Sequence, residues 1–259
     1  MLSKLLVLLS LISIYPTAGQ EKHSLFSEIL QDYVHNGLVD YSNLKNDTRL
    51  DEYLTDLSIA NPDTIKNKND RLAFWINAYN AYTLKIIADE YPIESINELH
   101  TGGLIIGHIL GATVWDKDIV TINNKKVSLN FIEHGVIRKK FNEPRIHFAL
   151  VCASISCPNL RAEAFEGFKL DQQLFEESKK FFNDKTKNEF NVSEKEVELS
   201  KIMDWYDDDF GGNEKEILVF ISKYLSEELA GKILQNPEAW NISYKSYNWD
   251  LNDHFKQNE

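Results

Sequence analysis

The chain has 259 residues, of which 43% are hydrophobic and 12% are aromatic, and this is enough apolar material for a sizeable folded core. Its formal net charge at pH 7 is -12. This acidity argues against nucleic acid or an anionic lipid surface as a partner, because both bind basic protein faces.

The first residues, MLSKLLVLLSLISIYPTAGQ, contain one lysine, an apolar run and then small residues. This order is typical of a secretory signal peptide, and we expect cleavage after Gly19. The apolar run is too short for a membrane-spanning helix, which needs about 20 apolar residues; an uncleaved anchor is the alternative. We therefore expect residues 1–19 to be a signal peptide. The mature protein, of about 240 residues, would be secreted or periplasmic, with no stable membrane anchor.

No repeat, low-complexity segment or Pro/Gly/Ser-rich linker divides the mature chain. We expect one globular unit, with a helical extension over residues 20–69 packed on a core over residues 70–259. Apolar residues at helical spacing predict helices in HSLFSEILQDYV and TRLDEYLTDLSIA. Asp70 is predicted to cap the longest helix, RLAFWINAYNAYTLKIIADEY, which stops before Pro92. Apolar residues occur nearly all round this helix, which predicts that it is buried.

The second half mixes strands and helices. DIVTINNKKVSL predicts a β-hairpin with Asn123-Asn124 in the turn, and Ser128 is predicted to cap the helix LNFIEHGVIRKKF. RIHFALVCA alternates like a strand. A helix at LDQQLFEESKKFF, a hairpin at EFNVSEKEVELS and helices at KEILVFISKYL and EELAGKIL follow. The predicted fold class is α+β, with helices packed around a small, mainly antiparallel sheet and one long buried central helix.

The only two cysteines, Cys152 and Cys157, are five residues apart. Proline is favoured at the first position of a helix, so Pro158 would make Cys157 the N-cap of a helix PNLRAEAF. Free backbone N–H groups and the helix dipole favour a thiolate there, whereas Cys152 on the predicted strand lacks such stabilisation. The alternatives are two small buried apolar residues, or a disulfide suited to an exported protein.

None of the seven histidines has metal-site spacing, so we expect no metal and no cofactor. His134 lies beside Glu133 in a predicted helix. His147 is one residue out of phase with Cys152 on the predicted strand, so its side chain should point to the opposite sheet face. Nucleophilic catalysis needs a thiol, a base and a group that orients the base, and Cys157, His134 and a carboxylate or amide would supply that set. Otherwise His134 is a helix-surface residue and His147 a core histidine.

Two asparagines, Asn77 and Asn80, fall within the buried helix. A buried carboxamide must be hydrogen-bonded, because leaving it unpaired costs about 1–3 kcal/mol. These side chains therefore either brace nearby loop backbone or line a ligand site.

The acidic stretch WYDDDFGGNE has a partial likeness to a calcium-binding loop. Asp207, Asp209 and Gly212 fit its first, third and sixth positions, but Leu218 stands at the twelfth, where a bidentate acid is needed. The match fails, and a solvated turn is predicted.

Several stretches together resemble the domain of unknown function 547 family: FWINAYNAYTLKII…YPIESI, VSLNFIEHGVIRKKFNEPRIHFALVCASISCPNL and the terminal SYNWDLN. The resemblance runs from about Asp70 to Leu251. This family is in turn similar to papain- and transglutaminase-like thiol enzymes, in which a cysteine is paired with a histidine. Because His134 precedes Cys157 here, such a relation requires a circularly permuted papain-like core.

The resemblance implies a set of motif residues in this chain: Asn77, Asn80, Glu133, His134, Arg138, Arg145, His147, Cys152, Cys157 and Pro158. Family members that carry serine in place of the second cysteine keep Cys152 in contention as the nucleophile. Asn248 stands where many members have an acid, which leaves Glu133 as the better orienting carboxylate.

Two functions follow from these observations. The first is an exported thiol-dependent hydrolase or transpeptidase that acts on a peptide or amide bond. Cys157 would be its nucleophile and His134 or His147 its base, with backbone N–H groups after Pro158 stabilising the oxyanion. The second is a non-catalytic exported binding or scaffold domain, in which Arg138 and Arg145 pair with Glu133 or with a ligand carboxylate. The expected ligand in either case is a peptide or a small molecule.

Overall fold

Helices make up most of the structure, and its strands are short. The computed structural model describes residues 22–100 and 113–256. Within them the helices are α1 Ser24–Tyr33, α2 Tyr41–Leu44, α3 Thr48–Ile59, α4 Lys68–Glu90, the π-helical α5 Phe131–Ile137, α6 Arg138–Lys140, α7 Leu170–Asn183, α8 Ile202–Trp205, α9 Glu214–Ser222 and α10 Glu227–Gln235. The strands are β1 Val34–His35, β2 Leu38–Val39, β3 Val120–Ile122, β4 Lys125–Val127, β5 Glu189–Asn191, β6 Glu196–Leu199 and β7 Asn241–Tyr244. The predicted α+β class is confirmed.

The strands form three small sheets rather than one. Strands β1 and β2 pair antiparallel, as do β3 and β4. Asn123 and Asn124 make the β3–β4 turn with φ of 50° and 56°, as the sequence predicts. The third sheet joins the predicted β5–β6 hairpin to β7, which runs parallel to β6 and was not predicted.

Helix α4 is the centre of the fold, and every residue from Leu72 to Leu84 on it is buried. The prediction of a long buried helix is therefore confirmed. The predicted N-cap of α4, Asp70, is wrong by about one helical turn. The side chain of Asn67, not that of Asp70, accepts hydrogen bonds from the first backbone N–H groups, and Asp70 lies in the first turn.

Two hydrophobic clusters divide the interior. The first surrounds α4 and includes residues of α1 and α3, such as Phe26 and Tyr53, whose rings stack 4.8 Å apart. The second lies among α7, α9 and the third sheet, around Phe148, Phe182 and Leu218. The polypeptide between α5 and α7 runs between the two clusters, and the candidate site lies there.

The predicted strand RIHFALVCA is not formed. Residues Pro144–Phe148 make a 3₁₀ helix, and the segment from Leu150 to Cys152 continues without a strand partner. The predicted placement of His147 and Cys152 on opposite sheet faces therefore does not apply. The predicted helix after Pro158 is also absent, because residues 158–166 contain no helical turn.

The predicted signal peptide, residues 1–19, lies outside the described residues. In the described ranges, no helix combines the length and the apolar character needed to cross a membrane.

Candidate active site

A cavity of about 530 Å³ opens between the two hydrophobic clusters. Helices α4, α5 and α8, the segment around the cysteines and the C-terminal tail each contribute to its wall. The lining residues are Tyr79, Trp115, Asn130, Glu133, His134, Arg138, His147, Leu150, Val151, Cys152, Cys157, Pro158, Ile202, Trp205, Tyr206, Tyr247 and Trp249. Both cysteines, both candidate histidines and Glu133 thus meet at one cavity.

The two cysteines are free thiols that contact each other. The backbone N–H of Cys152 donates a hydrogen bond of 2.8 Å to Sγ of Cys157. Sγ of Cys152 lies 3.1 Å from the hydroxyl oxygens of Ser154 and Tyr247. The thiol of Cys152 is therefore hydrogen-bonded to two hydroxyl groups, and Ser154 also donates to Tyr247.

These contacts make the two thiols unequal in acidity. Burial raises the pKa of Cys152, but the hydrogen bonds from Cys157, Ser154 and Tyr247 outweigh it and hold that pKa below its ordinary value. Burial raises the pKa of Cys157 well above its ordinary value, and the charge on Cys152 raises it further. The stabilised thiolate is therefore on Cys152, not on the residue that precedes Pro158. Without a helix after Pro158, no helix N-terminus supports ionisation of Cys157.

His147 is held by a carboxylate that the sequence analysis named only in the failed calcium-loop match. Its Nε2 lies 2.6 Å from Oδ2 of Asp209, and its ring stacks on Tyr206 with centroids 4.0 Å apart. Nε2 therefore carries the proton that is donated to Asp209, and Nδ1 keeps the lone pair in the neutral ring. Hydrogen bonds from His147, and then from Arg138, hold the pKa of Asp209 far below its usual range although burial raises it.

His134 has the opposite tautomer. Its Nδ1 lies 3.0 Å from Nη1 of Arg138, and since arginine has only donors, this nitrogen accepts. The neutral ring then carries its proton on Nε2, which lies 3.9 Å from the Glu133 carboxylate. His134 presents an N–H donor on the cavity side, and its side chain is 43% exposed. This distance of 3.9 Å is too long for a hydrogen bond. The structure therefore does not show Glu133 orienting His134 as a base, the roles that the sequence analysis considered.

Glu133 is instead linked to the cavity phenols. Its carboxylate is buried. Burial raises the pKa of Tyr206, and the charge and hydrogen bond of Glu133 raise it further. Burial and then the charge of Glu133 also raise the pKa of Tyr79. Both phenols therefore stay protonated at the cavity wall.

One wall of the cavity is aromatic. The ring of Tyr247 lies 4.7 Å from that of Trp205 and 4.5 Å from that of Trp249, and Trp115 contacts Trp249 at 6.1 Å between centroids. Trp205 is 46% exposed although it is large and apolar. This aromatic wall, composed of Trp115, Trp205, Tyr247 and Trp249, lines the same cavity as a polar wall that contains Glu133, His134 and Arg138.

The C-terminal tail supplies half of the aromatic wall because it pairs with the segment around the cysteines. The N–H of Ile155 donates to the carbonyl of Asp250 at 2.9 Å, and the N–H of Asn252 donates to the carbonyl of Ala153 at 3.2 Å. This pairing places Tyr247 beside the Cys152 thiol.

Three predicted binding residues lie away from the cavity wall. Asn77 bonds both backbone groups of Phe165, its Oδ1 accepting at 2.9 Å and its Nδ2 donating at 2.8 Å. Asn80 accepts from the N–H of Val151 at 3.0 Å and donates to the carbonyl of Ala149 at 2.9 Å. Both asparagines therefore brace loop backbone. Arg145 forms ion pairs with Glu143 and Asp171.

The site contains several residues that sequence reasoning did not select: Ser154, Trp205, Tyr206, Asp209, Tyr247 and Trp249. Asp209 is one of three consecutive aspartates, and the order of residues does not distinguish it from Asp207 and Asp208. Within residues 22–100 and 113–256, no three histidine, cysteine or acidic side chains cluster so as to hold a metal ion.

Comparison with known proteins identifies the family alone. The family model described as "Protein of unknown function, DUF547" matches residues 62–182. No curated protein and no solved structure matches the chain, and the relation to papain-like enzymes stays a prediction. The matched range supplies α4, α5, both cysteines and both cavity histidines, whereas Tyr206, Asp209, Tyr247 and Trp249 lie beyond it. Residues 62–182 therefore match the domain of unknown function 547 family that the motifs of the chain predict.

Proposed function

We propose that this protein is an exported thiol-dependent hydrolase or transpeptidase that acts on a peptide or amide bond, with Cys152 as its nucleophile. The observation that carries the proposal is the Cys152 thiol on the cavity wall. Hydrogen bonds from Ser154 and Tyr247 lower its pKa, and His147 lines the same cavity. Export is proposed from the leader-like first residues.

The tautomers of the two histidines assign different roles to them. Asp209 holds the proton of His147 on Nε2, so Nδ1 is the basic atom, and His147 is the proposed general base and acid. Asp209 is its positioning residue. Arg138 holds the proton of His134 on Nε2, so His134 is the proposed donor to developing negative charge. Glu133, a buried acceptor for Tyr206, maintains the polar wall.

The reaction divides into two transfers. Nδ1 of His147 takes the proton of the Cys152 thiol, and the thiolate attacks the carbonyl carbon so that a C–S bond forms. The C–N bond then breaks as the leaving amine takes that proton from His147. Water, or a second amine, then attacks the thioester after losing a proton to His147. The C–S bond breaks, and the product acid or amide leaves the restored thiolate. Water gives hydrolysis and an amine gives transpeptidation.

The test uses p-nitrophenyl acetate, because the natural substrate is not identified. We expect a burst of nitrophenolate, an acetyl group on Cys152 in the intact mass and peptide map, and continued turnover. Cys152→Ala should abolish burst and turnover. His147→Ala should lower turnover by about 100-fold or more, the contribution of a general base. His35→Ala, at an exposed histidine outside the cavity wall, is the matched control and should turn over at the wild-type rate.

The aromatic wall favours a second candidate, an exported binding domain for a peptide or small molecule. Its rings offer a large rigid contact surface, and Trp205 is partly exposed on it. The acetylation experiment separates the two candidates. A protein that is not acetylated on Cys152, or whose Cys152→Ala variant keeps the wild-type rate, is a binding domain rather than a thiol enzyme.

A further inference from the structure

The second cysteine forms no bond to the substrate in the proposed acyl transfer, yet it is held against the first. A turn brings it there: the N–H of Cys157 donates to the carbonyl of Ser154 at 3.1 Å, which folds the chain back on itself. The Sγ of Cys157 then accepts from the N–H of Cys152 at 2.8 Å. The sulfur of Cys157 therefore lies against Cys152 while both residues are free thiols.

Three sets of hydrogen bonds hold the segment that contains Cys152 and Cys157. Asn80 binds the backbone on the N-terminal side of Cys152. The C-terminal tail pairs with Ala153 and Ile155. The buried ammonium of Lys187 donates to the carbonyl of Ile155 at 3.3 Å and to Oδ1 of Asn159 at 3.0 Å. The two thiols are thus held in place by the fold. Little further conformational entropy is lost when a bond forms between them, because the loop is already ordered.

The two positions differ in access. Cys152 is partly exposed on the cavity wall, whereas Cys157 is 4% exposed. The hydroxyls of Tyr247 and Ser154 lie within hydrogen-bond distance of the first sulfur, and burial disfavours the charged form of the second. An oxidant that enters the cavity therefore meets a reactive sulfur first, with a protected thiol directly behind it.

We propose that Cys152 and Cys157 form a peroxide-reactive pair that closes reversibly to an intramolecular disulfide. The Cys152 thiolate attacks the terminal oxygen of a hydroperoxide, the O–O bond breaks, and an alcohol or water leaves after taking up a proton. Cys152 becomes a sulfenic acid, and the hydroperoxide is reduced by two electrons. The Cys157 sulfur then attacks the Cys152 sulfur, an S–S bond forms and water leaves with the Cys157 proton. A low-molecular-weight thiol reopens the bridge by exchange and is itself oxidised.

The experiment treats the reduced full chain with one equivalent of hydrogen peroxide, then records the intact mass and a non-reducing peptide map. We expect a loss of two hydrogen atoms, one peptide linked through Cys152 and Cys157, and full reversal by dithiothreitol. In Cys157→Ser, Cys152 should accumulate as a sulfenic acid that dimedone traps. In Cys152→Ser, Cys157 should remain a thiol at the same dose.

Three results would overturn the proposal. One is over-oxidation of Cys152 in the wild-type protein as fast as in Cys157→Ser. Another is a disulfide between two chains in place of the internal one, and the third is oxidation of Cys157 before Cys152. The readout is mass alone, so it is independent of the proposed acyl transfer. If the protein forms the disulfide but is not acetylated, the enzyme proposal fails and the proposal of a peroxide-reactive pair stands. If it is acetylated but forms no disulfide, the enzyme proposal stands and the peroxide-reactive pair fails.

Discussion

Asp209 and His147 form a carboxylate–imidazole pair, with Oδ2 and Nε2 2.6 Å apart. The same oxygen accepts from Nε of Arg138 at 2.6 Å, so one carboxylate fixes both a histidine and an arginine of the cavity wall. Asp209 does not itself line the cavity. Its effect on chemistry there must pass through the orientation of these two side chains.

Asp209→Asn should lower the free energy of unfolding at neutral pH by about 1–2 kcal/mol. The substitution replaces two hydrogen bonds to a charged acceptor with weaker ones, and the partial exposure of the carboxylate limits the loss. Urea denaturation measures it. Asp208→Asn, at the exposed neighbour, is the matched control and should leave the unfolding midpoint unchanged.

The Asp209–His147 pair also predicts how the stability of the protein changes at acidic pH. His147 and then Arg138 lower the pKa of Asp209 in the folded state, against burial. The resulting stability is present above the unfolded pKa of about 3.9 and is lost as the pH falls through the lower folded pKa. Below about pH 4, the wild-type protein should lose stability more steeply than Asp209→Asn. Parallel curves for the two proteins would show that the carboxylate contributes nothing to acid stability.

Tyr247→Phe should raise the pKa of Cys152, because it removes a hydrogen bond at 3.1 Å that favours the thiolate. One hydrogen bond to a charged group, about 1.5 kcal/mol, corresponds to about one pKa unit. Iodoacetamide labelling of Cys152 at pH 7, followed by peptide mapping, should slow by up to about 10-fold, with its midpoint at higher pH. Tyr244→Phe, in the same tail and outside the cavity wall, should label at the wild-type rate. Equal pH midpoints of labelling in both variants would show that Tyr247 does not stabilise the Cys152 thiolate.

Asn80→Ala should lower the free energy of unfolding by about 3 kcal/mol. It leaves the N–H of Val151 and the carbonyl of Ala149 without their partner inside the core, and each buried unpaired group costs about 1–3 kcal/mol. The loosened segment should also alter Cys152 labelling. Asn69→Ala, at an exposed position in the first turn of the same helix, is the control and should change stability by less than about 0.5 kcal/mol. A similar small change in Asn80→Ala would contradict the bracing role.

The bracing by Asn80 also explains why one part of the fold escaped prediction. The alternation in RIHFALVCA is a strand pattern, and a strand needs a neighbouring strand for its backbone hydrogen bonds. Here the carboxamide of Asn80 replaces that neighbour at Ala149 and Val151. The alternation instead places Ile146 in the first hydrophobic cluster and Phe148 in the second. The alternation alone cannot distinguish a strand from a segment braced by Asn80, because Asn80 is 69 residues from Ala149 and 71 from Val151 in the chain.

The segment after Pro158 departs from prediction for a related reason. A proline suits the start of a helix, but Asn159 is held by Lys187 and packs against Gly37. A Cβ on Gly37, whose φ is +84°, would lie 2.4 Å from Cβ of Asn159. Phe165 is held by Asn77. These contacts come from distant parts of the chain and hold the segment in a non-helical conformation. Where local pattern and burial agree, as in α4, α7 and the β3–β4 hairpin, the sequence was sufficient.

Lys187→Met should destabilise the segment that holds the two thiols. The substitution keeps an unbranched apolar side chain of similar length and removes the donor to Ile155 and Asn159. We expect a loss of about 1–2 kcal/mol in the free energy of unfolding, since two part-buried acceptors and the carboxylate of Asp184 lose a charged partner. We also expect faster labelling of Cys157, whose protection depends on the packing of this segment. Lys185→Met, at an exposed position two residues earlier, controls for the loss of charge and should match the wild-type protein in both measurements. If Lys187→Met unfolds at the wild-type midpoint and leaves Cys157 as slow to label as before, the tail and Asn80 alone hold the thiol pair in place.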